Sequence, residues 1–157
     1  MQEFKLNSLR RTHVAIMRKS WGLTSKLLTG EKTIESRWYK NKYKPWGQID
    51  TGDTVYFKDS GEPITVKAIV AKVSQFDNLN SDKVGELLRQ YSKSDGLGVD
   101  AKSFDKYFAM FKNKKYCLII FLKEVEGVEP FKIDKSGFGI MASWLIVDDI
   151  EKIKVRD

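Results

Sequence analysis

The sequence predicts an α+β domain whose sheet curls toward a barrel. Strands dominate both ends of the chain, and two helices with clear apolar periodicity interrupt them. Strand and helix do not alternate in the regular way of a doubly wound parallel sheet. The 157 residues, 41% hydrophobic and 12% aromatic, suffice for one core and leave little room for a second. We expect one domain over residues 13–157, preceded by a basic N-terminal arm at residues 1–12.

The first predicted elements are a strand, a short helix and a second strand. Residues 13–17 are apolar or β-branched and predict a buried strand. Ser20 is placed to cap a helix that stops at Gly30, a residue suited to the C′ position. Residues 33–38 then alternate as a strand does, and an aromatic, polar loop follows them.

The remaining elements are a hairpin, a pair of helices and further strands. A strand at 54–58 is expected to pair with a long β-branched run at 64–73. The inserted helical pair around 79–112 has two apolar stripes, which are expected to pack onto the sheet: Val84, Leu87, Leu88 and Tyr91, then Ala101, Phe104, Phe108 and Phe111. Residues 116–125 predict an apolar strand, with Cys117 in the core. The last three extended pieces are 131–133, 144–147 and 153–155.

Composition excludes several classes of protein. The longest apolar run is far shorter than a membrane span, and the first residues lack the apolar stretch of a signal peptide. A single cysteine forms no intramolecular disulfide and belongs to no cysteine–histidine zinc cluster, so we expect a cytoplasmic protein without a metal or other cofactor. The sequence has no Walker A loop, no Gly-x-Gly-x-x-Gly fingerprint, no zinc-protease motif and no esterase motif. His13, the one histidine, is expected to be structural rather than a catalytic base.

The positive charge of the chain is concentrated in its first third. Residues 1–47 hold eleven Lys/Arg and three Asp/Glu, a net charge of +8, whereas residues 48–157 carry a net charge of −1. Localised positive charge attracts polyanions, and nothing in the pattern favours a membrane surface. The alternative is a solvated face together with the basic arm at Arg10 and Arg11.

Charged residues converge around the strand at 33–38. Lys32 lies on the turn before it, and Glu35 and Arg37 share one strand face while Ser36 points to the other. Charges on a half-buried strand are costly unless they pair or bind a ligand, which indicates a polar cleft. Glu35 is expected to orient Arg37, while Lys32 and Arg37 meet a phosphate or a base edge. An exposed strand with a surface ion pair explains the residues equally well.

This segment resembles the signature of ASCH domains, members of the PUA-like superfamily. The matching positions are Gly30-x-Lys32-x-x-Glu35-x-Arg37 and, at the start of the next strand, Gly52-Asp53. The resemblance is clearest over residues 13–73 and extends through 116–125, with Trp144 near a characteristic late position. It implies a small β-barrel flanked by helices, with a motif-lined cleft that recognises RNA or a modified base.

Some ASCH proteins that this chain resembles are enzymes: amidohydrolases that act on acetylcytidine, and ribonucleases. The amidohydrolases use a Lys, a Thr and a distal Glu. Lys32 matches their lysine, but Glu35 occupies the threonine position, so Thr33 or Ser36 would have to replace that residue. If the chain is an enzyme, Lys32 and Glu35 are the candidate catalytic residues, with burial shifting their pKa values toward neutrality.

The loop after the motif supports nucleic-acid binding independently of any family. Lysines that meet phosphates alternate with aromatics that stack on bases, and no acidic residue intervenes. The sequence runs Trp38, Tyr39, Lys40, Asn41, Lys42, Tyr43, Lys44, Pro45 and Trp46. Alternatively, the tryptophans anchor the core and the lysines keep the loop soluble; one of the two tryptophans, Trp38 or Trp46, is expected in the core.

The leading hypothesis is an RNA-binding module, with RNA preferred to DNA, that uses the motif as its cleft and this loop as the rim. A small hydrolase of modified nucleosides or a ribonuclease is the alternative, and a protein-interaction adaptor is a third. A second basic cluster at Lys112, Lys114 and Lys115 either extends the binding track or complements a helix dipole.

Overall fold

The computed structural model describes residues 10–139 and 141–156, and the predicted α+β class is confirmed. The strands are β1 (Thr12–Met17), β2 (Ile34–Tyr39), β3 (Thr54–Asp59), β4 (Ile64–Phe76), β5 (Tyr116–Phe131) and β6 (Trp144–Val147). The helices are α1 (Leu23–Thr29), α2 (Ser81–Tyr91), α3 (Ala101–Phe111) and α4 (Ile150–Ile153), with a 3₁₀ turn at Lys19–Trp21. In the part of the chain that the structure describes, no helix is long and apolar enough to cross a membrane.

Six strands form one mixed sheet that curls into a half-barrel. Their order is β2-β5-β4-β3-β1-β6, with β1 and β3 parallel and every other pair antiparallel. The long β4–β5 ladder contains three register shifts. The shifts insert one or two extra residues into one strand, and such insertions bend the strand and increase its twist, which explains the curl. The sheet therefore has two free edges, β2 and β6.

The helix predicted to begin at Ser20 is divided in two. Lys19–Trp21 forms a 3₁₀ turn, and Gly22 breaks it with a φ of 65° before α1 begins at Leu23. Ser20 therefore does not cap α1. Gly30 ends the helix in the left-handed region, with a φ of 85°, as the sequence predicts.

The helical pair lies between β4 and β5, and side-chain caps fix where its helices begin. Asn80 accepts a hydrogen bond from the backbone N–H of Lys83, and Asp100 accepts one from Ser103. Val84, Leu87 and Leu88 of the predicted α2 stripe are buried and Tyr91 is half-buried, whereas α3 buries Tyr107 and Phe111 instead of the whole predicted stripe. Phe104 and Phe108 stack on each other and remain half-buried, because this part of α3 lies along α2.

The C-terminal elements differ from those predicted. β5 continues to Phe131, so the pieces predicted at 116–125 and 131–133 are largely one strand. Ile153 ends α4, and beyond it a single bridge joins Ile133 to Lys154, so no strand forms at 153–155. Cys117 is fully buried, as predicted.

Two further features bear on the site and the termini. The carbonyl oxygen of Ser94, in the loop between α2 and α3, accepts hydrogen bonds from the backbone N–H groups of Thr33 and Ile34 at 2.8 and 3.3 Å. This loop therefore covers the start of the free edge of β2.

Residues 1–9 of the predicted arm lie outside the described residues, and Thr12 already belongs to β1.

Candidate functional site

A cavity of about 300 Å³ lies where β2 faces the end of β1 and the C-terminal half of α3. Its wall is aromatic on several sides and charged at one end. The lining side chains that matter below are Trp21, Trp38, Tyr39 and Phe111 on the apolar part, and Glu35, Ser36, Arg37 and Asp95 on the polar part. Ligand pockets begin at about this volume.

A buried ionic cluster forms the charged end. The Lys32 ammonium lies 2.6 Å from Asp95 Oδ1 and 3.0 Å from Glu35 Oε1, and it also donates to the Asp95 carbonyl at 3.0 Å. Glu35 Oε2 accepts from Arg37 Nε at 2.9 Å. Two cations and two carboxylates therefore alternate, which offsets the cost of burying them.

The structure thus brings Lys32, Glu35 and Arg37 together, but Lys32 does not line the cavity. Its side chain is 0% exposed and lies behind Glu35 and Asp95, which occupy its donors. The expectation that Lys32 meets a phosphate or base edge directly is therefore wrong. Lys32 acts on the cavity by holding two wall carboxylates in place.

Burial and pairing shift the pKa values of the cluster in different directions. Burial lowers the pKa of Lys32, but the Asp95 and Glu35 carboxylates outweigh it and raise that pKa above its usual value. Burial raises the pKa of Glu35, yet Lys32 and Arg37 bring it below the ordinary value. Both groups therefore stay charged at neutral pH, contrary to the expected shift toward neutrality. The pKa of Asp95 is raised, because burial and repulsion from Glu35 exceed the attraction of Lys32.

Ser36 joins this cluster through Asp95. Its hydroxyl is hydrogen-bonded to Asp95 Oδ2 and accepts from the Trp38 indole N–H at 3.0 Å. Because the indole can only donate, the Ser36 proton points to Asp95. Strand alternation predicts that Ser36 faces away from the cleft, but Ser36 and Glu35 both line the cavity and are linked through Asp95 and Lys32.

Arg37 bridges the opening of the half-barrel. From the free edge of β2 it donates to the Ser143 carbonyl just before β6 and to the Ile16 carbonyl of β1, each at 3.3 Å. Its guanidinium carbon lies 5.1 Å from the ring centre of Trp144. Arg37 is thereby held in one orientation with one planar face against an aromatic ring.

A second buried chain of hydrogen bonds supports Trp144 from below. The Trp144 indole N–H donates to His13 Nδ1 at 3.0 Å, and His13 Nε2 lies 2.8 Å from Asp53 Oδ2. Because the indole occupies Nδ1, the His13 proton is on Nε2 and donates to Asp53. His13 is 0% exposed and does not line the cavity, so it occupies a structural position.

The aromatic loop is mostly structural, and its lysines are free in solvent. Trp38 stacks on Phe111 with ring centres 4.8 Å apart, and Trp46 packs edge-on against Tyr116 at 5.1 Å. Both tryptophans thus pack against the core, and Trp46 is not on the cavity wall. Tyr43 is 53% exposed. The Tyr39 hydroxyl donates to the Lys44 carbonyl at 2.7 Å, and the side chains of Lys40, Lys42 and Lys44 are exposed.

The second basic cluster lies beside this loop. The backbone N–H of Lys115 donates to the Tyr39 carbonyl at 2.9 Å, where β2 ends and the loop begins. Lys112 is exposed at the end of α3, directly after the cavity residue Phe111. The two basic segments are therefore neighbours at one end of the cavity.

Sequence reasoning did not find Asp95 or Trp21. Asp95 comes from the loop between the helices, 63 residues after Lys32, and only its position before Gly96 marks a turn. Trp21 comes from the 3₁₀ turn that replaces the predicted start of a helix. Within residues 10–139 and 141–156, no group of three His, Cys, Asp or Glu side chains could hold a metal ion.

Comparison with known proteins gives a match at the level of structure. No family model and no curated protein matches the sequence. The crystal structure of ASCH from Zymomonas mobilis is 14% identical, with a TM-score of 0.63 over 90% of this chain and 90% of that chain. One point mutant of that protein matches with the same identity and TM-score over 91% of this chain and 94% of its own. A second mutant, 13% identical, has a TM-score of 0.63 over 91% and 92% of the two chains.

The chain has an ASCH-type fold. The resemblance inferred from the Gly30 to Arg37 motif is thereby confirmed at the level of fold. In this ASCH-type half-barrel, the motif runs from the end of α1 into β2, where three of its neighbouring side chains, Glu35, Ser36 and Arg37, form the polar wall of the cavity.

Proposed function

We propose that the protein binds single-stranded RNA and takes one base into the cavity. The observation that supports this most is the combination of an aromatic wall with a charged, hydrogen-bonding end in one space of about 300 Å³. Unstacked RNA bases are recognised in this way, by stacking on aromatic rings and by hydrogen bonds to their edges. The ASCH-type fold is compatible with RNA binding, but the proposal is based on the cavity.

Each part of the wall has a role in this proposal. Tyr39 and the edge of the Trp38–Phe111 stack offer aromatic surface to a base, and Glu35 and Asp95 offer acceptor oxygens to its edge. Lys32 is a positioning residue, because it holds Glu35 and Asp95 where they face the cavity. A fixed arrangement of donors and acceptors discriminates between bases, since a wrong base leaves buried groups unpaired.

The exposed lysines supply the contacts with the strand outside the cavity. Lys40, Lys42 and Lys44 lie next to Lys112 and Lys115, so several cations face solvent near one end of the cavity. Cations that neutralise phosphates release counterions, so the affinity for a single strand falls as the salt concentration rises. The slope of the logarithm of the affinity against the logarithm of the salt concentration is proportional to the number of phosphates neutralised. This term is indifferent to base sequence, whereas the cavity supplies base preference.

Fluorescence titration with short single-stranded RNA at several salt concentrations tests the proposal, because Trp21 and Trp38 line the cavity. The triple variant Lys40→Gln, Lys42→Gln and Lys44→Gln should reduce the salt slope by about two units. A control triple variant, Lys83→Gln, Lys123→Gln and Lys152→Gln, removes the same charge from other elements and should leave the slope unchanged. Absence of any response to RNA at low salt refutes the proposal, while a salt-independent response to a protein would favour an adaptor.

RNA and DNA are distinguished in the same experiment by oligonucleotides of identical sequence. We expect RNA to bind more tightly, since the 2′-hydroxyl provides an additional donor and acceptor. Equal or tighter binding of DNA would retain the nucleic-acid module and overturn the assignment to RNA.

Hydrolysis of a modified nucleoside is a second candidate, favoured by the hydrogen bond from Ser36 to Asp95. The raised pKa of Asp95 brings it closer to the range of a general base. In this candidate the Ser36 oxygen attacks an acyl carbon while Asp95 takes its proton; Asp95 returns the proton to the leaving amine, and water then cleaves the acyl-serine. Lys32 and Glu35 remain charged and take no part in the proton transfer.

An assay with acetylated nucleosides decides this candidate. Deacetylation should disappear in Ser36→Ala, while the control variant Ser25→Ala, at an exposed position in α1, should retain it. Activity that persists in Ser36→Ala refutes the assignment of Ser36 as nucleophile. Wild-type protein that binds RNA but releases no product leaves the binding module as the function.

A further inference from the structure

The distribution of charge differs between the interior of the cavity and its mouth. Inside, Lys32 and Arg37 are matched by Glu35 and Asp95, so the four groups carry no net charge. A base that enters this interior is itself uncharged at neutral pH. We use the word mouth for the part of the cavity wall formed by Arg18 and Trp21. Two exposed cations, Arg18 and Lys106, lie near the Trp21 ring there.

Trp21 organises the mouth. The guanidinium carbon of Arg18 lies 4.9 Å from the Trp21 ring centre, and Arg18 and Trp21 both line the cavity. The Lys106 ammonium lies 5.9 Å from the same ring and 5.2 Å from the ring of Tyr107, which packs edge-on against Trp21 at 5.3 Å. Contacts with aromatic faces restrain both cations but leave their hydrogen-bond donors free for a ligand.

Among the described residues, neither cation is paired with a carboxylate. In the described part of the chain, no carboxylate lies within 4 Å of the Arg18 or Lys106 nitrogens. Arg18 directly precedes the turn at Lys19–Trp21 and lines the cavity, whereas Lys106 lies on α3 and reaches the Trp21 ring from outside the cavity lining. Two cations without a carboxylate partner, beside an aromatic cavity whose charged groups sum to zero, match a ligand with a flat neutral part and an anionic part.

We infer that Arg18 and Lys106 form a phosphate subsite at the mouth of the cavity, so that the occupant is a nucleotide rather than a free nucleoside. The inference rests on the proposed entry of a base into this cavity and specifies the chemical class of what enters. The phosphate belongs either to a nucleoside monophosphate or to a nucleotide within an RNA strand. Arg18 provides a planar fork of donors to its oxygens, and Lys106 provides a point charge.

The test compares each of the four ribonucleosides with its 5′-monophosphate and with a pentanucleotide of the same base, by tryptophan fluorescence and calorimetry. For at least one base the wild-type protein should bind the monophosphate or the pentanucleotide about tenfold more tightly than the nucleoside, as expected for charge-assisted hydrogen bonds. Tighter binding of the monophosphate identifies a free nucleotide as ligand, and tighter binding of the pentanucleotide alone identifies a strand.

The double variant Arg18→Gln and Lys106→Gln should lose this preference while its affinity for the nucleoside is unchanged. Lys102→Gln, an exposed position one turn earlier on α3, is the matched control and should retain the preference. Equal affinity of the wild-type protein for nucleoside and phosphorylated forms, or a preference that survives in the double variant, overturns the phosphate subsite. If no nucleoside, nucleotide or oligonucleotide binds, the proposed function itself fails and the subsite with it.

Discussion

Replacement of Lys32 by methionine removes the cation at the centre of the buried cluster. The Lys32 side chain is 0% exposed, and it is the cation paired with Asp95, whereas Glu35 keeps its ion pair with Arg37 at 2.9 Å. Loss of one partner of a buried pair costs about 3–5 kcal/mol, because the remaining charge is left uncompensated. For a chain of this length the same change lowers the melting temperature by about 10 °C.

The cost should depend on pH in a direction that follows from Asp95. Burial already raises the pKa of Asp95 in the wild-type protein, and loss of the Lys32 charge raises it further. A carboxyl whose pKa is higher in the folded than in the unfolded state carries no penalty below its unfolded pKa. Its penalty then grows by about 1.4 kcal/mol per pH unit until the folded pKa is reached. The variant should therefore lose less stability at about pH 5 than at about pH 7.5.

Urea unfolding at these two pH values, on the wild-type protein, Lys32→Met and the double variant Lys32→Met with Asp95→Asn, measures the effect. Asparagine removes the uncompensated charge, so the double variant should recover most of the stability lost at the higher pH. An equal loss at both pH values, with no recovery in the double variant, would refute the view that Lys32 stabilises the fold by compensating Asp95.

Three further outcomes are expected elsewhere in the domain. Burial raises the pKa of Asp53, but hydrogen bonds from His13 and two backbone N–H groups bring it below the ordinary value. The ionised Asp53 therefore stabilises the fold at pH values above its ordinary pKa, and this stabilisation is lost as the pH falls through the lowered pKa. Asp53→Asn should thus cost about 1–3 kcal/mol at neutral pH and flatten the acid limb of a stability–pH profile. Trp38→Ala removes a ring stacked on Phe111 and should lower the free energy of unfolding by about 3–5 kcal/mol in a urea titration. Burial raises the pKa of the Cys117 thiol well above its usual value, so a thiol reagent should label it at the rate of unfolding; rapid labelling of native protein would contradict this.

Much of the fold was predictable because its elements have local signals. The apolar run at 13–17, the β-branched run that begins at Ile64 and the helical periodicity of α2 each specify one type of element within a few residues. The errors occur where a single residue or a tertiary contact determines where an element begins or which face it buries. Gly22 breaks a helix that the apolar pattern would continue, and the face that α3 buries depends on how it lies against α2.

The sequence predicted only those site residues that are close to one another along the chain. Lys32, Glu35 and Arg37 are close in sequence, so strand geometry alone brings them together. Asp95 is distant in sequence, and its carboxylate binds both Lys32 and Ser36 and helps to keep Lys32 charged. No periodic pattern encodes a contact between a loop and a strand 59 residues away, such as that between Asp95 and Ser36.

The loop that contains Ser94 and Asp95 contacts both the candidate site and a free edge of the sheet. Ser94 occupies two backbone donors at the free edge of β2, and Asp95 completes the polar wall of the cavity next to it. An exposed strand edge is a template for pairing with another chain. Substitutions that loosen this loop would therefore open the site and at the same time expose an adhesive edge.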